Sequence, residues 1–185
     1  MSFNSTDLSF WFSTGGGPAE LRELNLGGAI SATAEIVHST EQNWAPDIPR
    51  TVVGAIGTAG TWSMYFPFYV KNKHASITVT DVALTVLSDV SGINVAMQMG
   101  FDPAGKNGTC QTIVNQTTSP TGVTFDDPIT VLFGGWFSET TVWNAAASLA
   151  PDDNVPMWIR LYGPKGVSSI PVIKFTLKAS FIRPA

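Results

Sequence analysis

Apolar and polar residues alternate with a period of two along much of the chain, and three segments carry the pattern most clearly. In 93–101, Ile93, Val95, Met97, Met99 and Phe101 share one face, with Asn94, Ala96, Gln98 and Gly100 on the other. In 155–162, Val155, Met157, Ile159 and Leu161 point inward, which sends Trp158, Arg160 and Tyr162 outward. In 173–181, Ile173, Phe175, Leu177, Ala179 and Phe181 oppose Lys174, Thr176, Lys178 and Ser180. One face buried and one wet or contacted is the signature of antiparallel sheets.

Shorter runs rich in β-branched and aromatic residues predict further strands at 8–12, 29–37, 62–70, 77–87, 110–114 and 129–133. Within 77–87 the apolar phase moves from Ile77 and Val79 to Val82, Leu84 and Val86, a slip that predicts a β-bulge near Asp81. Pro67 cannot donate to a sheet ladder, so its strand is expected at an edge or bulged. Turn-rich pieces such as "DPAGKNG", "TTSPTG", "FDDP", "PDDN" and "GPKG" separate the strands. A single short helix is expected, at 139–150. Many strands with turns between them predict an all-β fold, an antiparallel β-sandwich of immunoglobulin-like or jelly-roll-like type. Residues 1–28 lose their alternation after Phe12 and read as an extended N-terminal arm leading into a sandwich over 29–185.

Glycine clusters near that junction invite a different reading. Gly15–Gly17 and the Gly27–Gly28 pair of "LNLGGAIS" could belong to a phosphate-binding loop. Such a loop needs a strand before it, a helix N-terminus after it and a defined glycine spacing. Here the strand-like "AISATAEIV" follows, and no Lys-Ser or Lys-Thr pair does. The glycine pair is expected to serve as a backbone joint where the arm enters the sandwich.

Composition narrows the class. Charged residues are 13% of the chain, about half the proportion of an average soluble protein, while it carries six Trp and eleven Phe. Two accounts fit that balance: a large aromatic core, or apolar surface covered by other subunits. A net charge of −4 without any basic run argues against nucleic-acid binding. The opening "MSFNSTDLSF" lacks the basic and apolar regions of a signal peptide. No window approaches a membrane span, so no membrane partner is expected. The sequons at Asn4, Asn107 and Asn115 then carry no weight, and synthesis in a cytoplasm is expected.

The residues capable of chemistry read as structural. His38 and His74 share no metal-ligand spacing, and each reads as a solvated residue at a turn or strand end. Cys110, the one cysteine, reads as a buried thiol at the start of a strand. Asp126–Asp127 and Asp152–Asp153 lack the spacing of a calcium loop and read as turns. No G-x-S-x-G elbow is present. No catalytic residue, cofactor or metal is therefore expected, and the chain is not expected to be an enzyme. Aromatics on both faces of "SFWF" and "MWIRLY" make Trp11 and Trp158 candidates for outward display, at a subunit interface or on a carbohydrate-binding face.

Three segments, "LNLGGAIS" (24–31), "FYVKN" (68–72) and "SLAPDDNVPMWIRL" (148–161), occur in an order that resembles small virion proteins of tailed bacteriophages. An alternating strand after "YVKN" is matched by 77–87. The later turn and its tryptophan-and-arginine strand are matched by Leu149, Pro151, Trp158 and Arg160. Asp152 and Asp153 depart from the small turn residues of that pattern. The resemblance implies a capsid decoration (cement) protein on the capsid exterior. It would bind the major capsid protein as a homo-oligomer, expected as a trimer, and stabilise the shell by bridging capsomers. A tail, head–tail or fibre protein, and a carbohydrate-binding module for host attachment, are the alternatives. Expected contact residues are Phe10, Trp11, Phe12, Leu24 and Leu26 from the arm, followed by Trp44, Trp136 and Trp158.

Overall fold

The computed structural model describes residues 7–14, 26–36, 61–89, 96–125, 143–164 and 174–182. Ten strands run through them: β1 (Leu8–Ser13), β2 (Leu26–Gly28), β3 (Ile30–Ile36), β4 (Thr61–Asn72), β5 (Val79–Asp89), β6 (Ala96–Phe101), β7 (Cys110–Ile113), β8 (Trp143–Leu149), β9 (Asn154–Pro164) and β10 (Lys174–Ile182). They form a five-stranded sheet in the order β3-β1-β4-β9-β6, a three-stranded sheet β10-β5-β8, and the short pair β2-β7. Every pairing is antiparallel. The all-β, sandwich-like expectation is borne out. The expected strand at 129–133 lies outside the described residues.

The long β4–β9 ladder is the spine of the large sheet, running in register from Thr61↔Pro164 to Lys71↔Asn154. One face of it carries Met64, Phe66, Phe68 and Val70 beside Val155, Met157 and Ile159, all buried, as the alternation predicts. Phe10 of β1 and Met99 of β6 extend this apolar face, through the pairs Phe10↔Val70 and Met99↔Ile159. The three-stranded sheet approaches along β8, which lies near β4 and β9, and Val79, Val82 and Leu149 are fully buried there.

Four expectations are corrected. First, residues 143–149 are strand β8, paired with β5, where a helix was expected. Alanine is the strongest helix former, but that preference is under about 1 kcal/mol per residue, and the ladder with β5 offers this stretch backbone partners that outweigh it. Second, Pro67 sits in an interior strand, between β1 and β9. The amide of Tyr65, on the same side of β4, donates to Gln116 O and not to β9. The missing Pro67 donor therefore faces the β1 side, where pairing has already ended at Phe12↔Phe68. Third, the described part of residues 1–28 is built into the fold: β1 lies between β3 and β4, and β2 pairs with β7. Fourth, Trp158 is buried within the chain, as described below. The bulge expected near Asp81 is present, since three steps from Thr80 to Ala83 on β5 oppose two on β10.

Candidate functional site

The second face of the large sheet presents Tyr65, Tyr69 and Trp158, and the short β2-β7 pair packs over it. Leu26, Cys110 and Ile113 close onto these rings, with Trp11, Ile30, Val123 and Phe125 at the margin. Both faces of β9 are thus covered at its centre, where Trp158 of the outward phase is as buried as Met157 and Ile159 of the inward one. Further along, Arg160 and Tyr162 stay partly exposed. Strict alternation cannot distinguish a strand covered on two sides from one covered on one.

At the centre of this second core lies Asp102, only 3% exposed. Its carboxylate accepts the Trp158 indole Nε1–H at 2.8 Å, the Ala104 amide at 2.9 Å and the Gln111 amide at 3.1 Å. The Gln111 side-chain amide and the Cys110 thiol also donate to it, at 3.3 and 3.4 Å. Burial alone would raise the Asp102 pKa, but the donors from Trp158, Ala104 and Gln111 more than reverse that and hold it below the usual carboxylate range.

Tyr69 closes the adjoining layer. Its hydroxyl donates to Gly28 O at 2.6 Å and accepts the Cys110 amide at 2.8 Å, which fastens the facing pair Gly28↔Cys110 to the sheet. Burial pushes the Tyr69 hydroxyl up to about 12. Burial, reinforced by the neighbouring Asp102 charge, raises the Cys110 thiol well above its ordinary range. A thiol that stays protonated is a hydrogen-bond donor and not a nucleophile.

Glycine chemistry permits the close approach of β2 to β7. Gly27 has φ +114°, and a Cβ there would run into the carbonyl of Gln111. The Gln111 side chain in turn accepts the Thr121 amide at 2.6 Å and donates to Thr121 O at 3.0 Å, which folds segment 114–125 back over the sheet. Gly100 lies beneath that segment, where a Cβ would meet Val123 and Thr124. The glycine pair is therefore a close-packing joint, and its two positive φ values are compatible with the role expected of it.

His74 is buried in the β4–β5 turn, not solvated as expected. Its Nδ1 accepts the amides of Ser76 and Ile77 at 3.0 and 2.9 Å, which fixes the ring within the turn. Asn72 braces the same corner, donating to Ile77 O and Leu149 O. Asp153 accepts the amide of Ala150 and the side chain of Asn107, and pairs with Lys106 at 3.2 Å. Those contacts make "PDDN" the turn it was read as. His38 and Asp126–Asp127 lie outside the described residues.

Of the expected contact residues, Phe10, Leu26 and Trp158 are buried in the chain's own cores. That corrects their assignment to a partner surface: each is already covered by this chain. Trp11 and Phe12 are partly buried, and Trp11 carries Lys71 over its ring at 5.6 Å. Leu24, Trp44 and Trp136 lie outside the described residues. Asp102 was missed because "DPAGKNG" looks like any turn; nothing local marks its first residue as buried. Among the described residues, no group of three or more His, Cys, Asp or Glu is placed to hold a metal, and no helix is long and apolar enough to cross a membrane. No family model, curated protein or solved structure matches the chain.

Proposed function

We propose that the chain is a structural protein of a tailed-phage virion, a capsid decoration protein that binds the outer capsid and bridges capsomers. One observation carries this reading. The three segments of the resemblance, far apart in sequence, meet in one structural unit. Tyr69 of "FYVKN" bonds Gly28 of "LNLGGAIS", and Asn72 exchanges backbone hydrogen bonds with Asp152 and Asp153 of "SLAPDDNVPMWIRL". Val70 pairs with Val155 in the same ladder. Motifs joined in this way share a scaffolding role.

The fate of the reactive side chains supports the same reading. Cys110, His74, Asp102 and Asp153 all serve the backbone or one another. The carbohydrate-binding alternative loses Trp158, one of its two candidate aromatic platforms, because that ring is fully buried. A partner surface on a capsid is built from many modest contacts repeated by symmetry, so no single deep site is required.

Copy number in purified virions tests the proposal. Quantitative mass spectrometry is expected to find hundreds of copies of this chain per particle. Six or twelve copies would overturn decoration in favour of a neck or tail ring, and absence from the particle would overturn the virion role itself.

A further inference from the structure

Cations with described side chains divide unevenly. Lys71 pairs with Asp152 at 3.0 Å, Lys73 with Glu35 at 2.6 Å, and Lys106 with Asp153 at 3.2 Å. Arg160 has no carboxylate among the described residues. Its guanidinium is nevertheless held firmly. Nε and Nη2 donate to Ser63 Oγ at 3.1 and 2.9 Å, and Nη1 donates to Gln98 Oε1 at 2.8 Å. The Tyr162 ring lies 4.7 Å from Cζ.

These residues come from three adjacent strands: Arg160 and Tyr162 from β9, Ser63 from β4 and Gln98 from β6. The pairs Gln98↔Arg160 and Ser63↔Tyr162 place all four on one face, in one patch. Three of the five guanidinium N–H bonds go to neutral oxygens, which orient the fork while no described carboxylate compensates its charge. The remaining two N–H bonds belong to Nη1 and Nη2, and a carboxylate is the group whose two oxygens match such a fork.

We infer that Arg160, oriented by Ser63, Gln98 and Tyr162, is a docking site for a single carboxylate supplied by an acidic side chain of a partner protein. Charge decides against phosphate chemistry. Lys71, the other cation on this sheet face among the described side chains, pairs across from Asn154. That is six residues from Arg160, roughly 20 Å of extended strand. Among the described residues Arg160 thus stands as a single cation, which suits one monoanion, whereas phosphate and nucleic-acid sites gather several. Arg160 and Tyr162 stand at the margin of the covered second face, where both side chains are only partly buried. Arg and Tyr are among the residue types enriched where protein interfaces concentrate their binding energy. The inference goes beyond the virion reading and does not depend on it.

The test is a titration of the full chain, with ¹⁵N–¹H spectra following the Arg160 Nε–H resonance. Probes are a blocked Glu-containing tripeptide, its Gln counterpart, glucuronate and inorganic phosphate, all at constant ionic strength. The Glu peptide is expected to move the resonance saturably while the Gln peptide leaves it in place. Arg160→Lys should weaken the Glu peptide roughly tenfold, because it keeps the charge and loses the fork. Far-ultraviolet circular dichroism and the remaining resonances establish that this variant is folded. Equal responses to the Glu and Gln peptides would overturn the inference. So would undiminished binding by Arg160→Lys. Tighter binding of glucuronate would overturn it in favour of an acidic glycan, and tighter binding of phosphate in favour of a phosphate site.

Discussion

Trp158 and Asp102 stand 56 residues apart in the chain, yet the indole Nε1–H of one donates to the carboxylate of the other at 2.8 Å inside a covered core. An indole donor needs a partner when buried, and an ionised carboxylate needs several. Each residue thereby meets the other's requirement. Their contact ties the loop after β6 to the centre of β9.

That mutual dependence is measurable. Asp102→Ala orphans buried donors from Trp158, Ala104 and Gln111, and should cost about 3 kcal/mol or more. Trp158→Phe removes one donor and some ring volume, at about 1–3 kcal/mol. Because the two residues share a bond, the double variant should cost less than the sum of the singles. Urea denaturation of all four proteins gives the coupling, expected at about 1–2 kcal/mol. Strict additivity would mean that the contact contributes nothing.

Stability should fall on acidification. Asp102 and Asp153 both titrate below the ordinary carboxylate range in the folded chain, despite burial that works the other way. The unfolded state then binds more protons, so stability rises with pH across this region. The contribution is complete above the unfolded pKa of about 4, and it disappears as pH falls through the lower folded values. Denaturation midpoints between pH 2 and 7 should show this slope. Asp102→Asn should flatten it, even though the variant is less stable at neutral pH.

Cys110 is expected to be unreactive. With Cys110 1% exposed and its pKa raised by burial, modification by Ellman's reagent at pH 8 should proceed only at the rate of opening or unfolding. Denaturant should release the reaction at once. Rapid labelling of the native chain would contradict the buried donor role assigned to this thiol.

Two glycines with positive φ should respond differently to alanine. At Gly27 the left-handed backbone and the collision with Gln111 O act together, so Gly27→Ala should cost more than about 2 kcal/mol. At Gly105, φ is +69° but no atom lies within 4 Å of a new Cβ, leaving conformational strain of about 1 kcal/mol. Thermal or urea denaturation of the two variants gives the comparison. Equal losses would show that the β2–β7 approach is looser than the structure has it.

Removing even the first half of residues 1–28, the segment expected to be an arm, should not leave a folded domain. Deletion of residues 1–14 takes away β1, which is paired on both sides, to β3 and to β4. It also exposes the apolar row that Leu8 and Phe10 help to cover. Loss of the cooperative unfolding transition is the expected result. A truncated chain that retains that transition would return β1 to the role of a dispensable extension.

Much of the architecture was written in local pattern. Val155, Met157 and Ile159 are buried where the alternation put them, and the phase slip at Asp81 marked a real register shift. Pattern failed where a second layer intervened. Trp158 occupies the polar phase of its strand and is fully buried, because β2 and β7 cover that face from sites remote in sequence. "WNAAASL" became a strand because β5 supplied hydrogen-bond partners that no local propensity encodes. Asp102 stood in an ordinary turn motif, and only the convergence of Trp158, Gln111 and Cys110 made it the polar centre of a core.

The sequence alone determined the all-β character of the described residues, where most of their strands run, and that Gly27–Gly28 forms a backbone joint. Those properties follow from side-chain periodicity and backbone freedom, which are local. Tertiary structure alone decided that the centre of the large sheet is covered on both faces, that β1 is an interior strand, and that neutral oxygens of Ser63 and Gln98 hold Arg160. These depend on which distant segments pack against one another, and burial and charge pairing are properties of that packing.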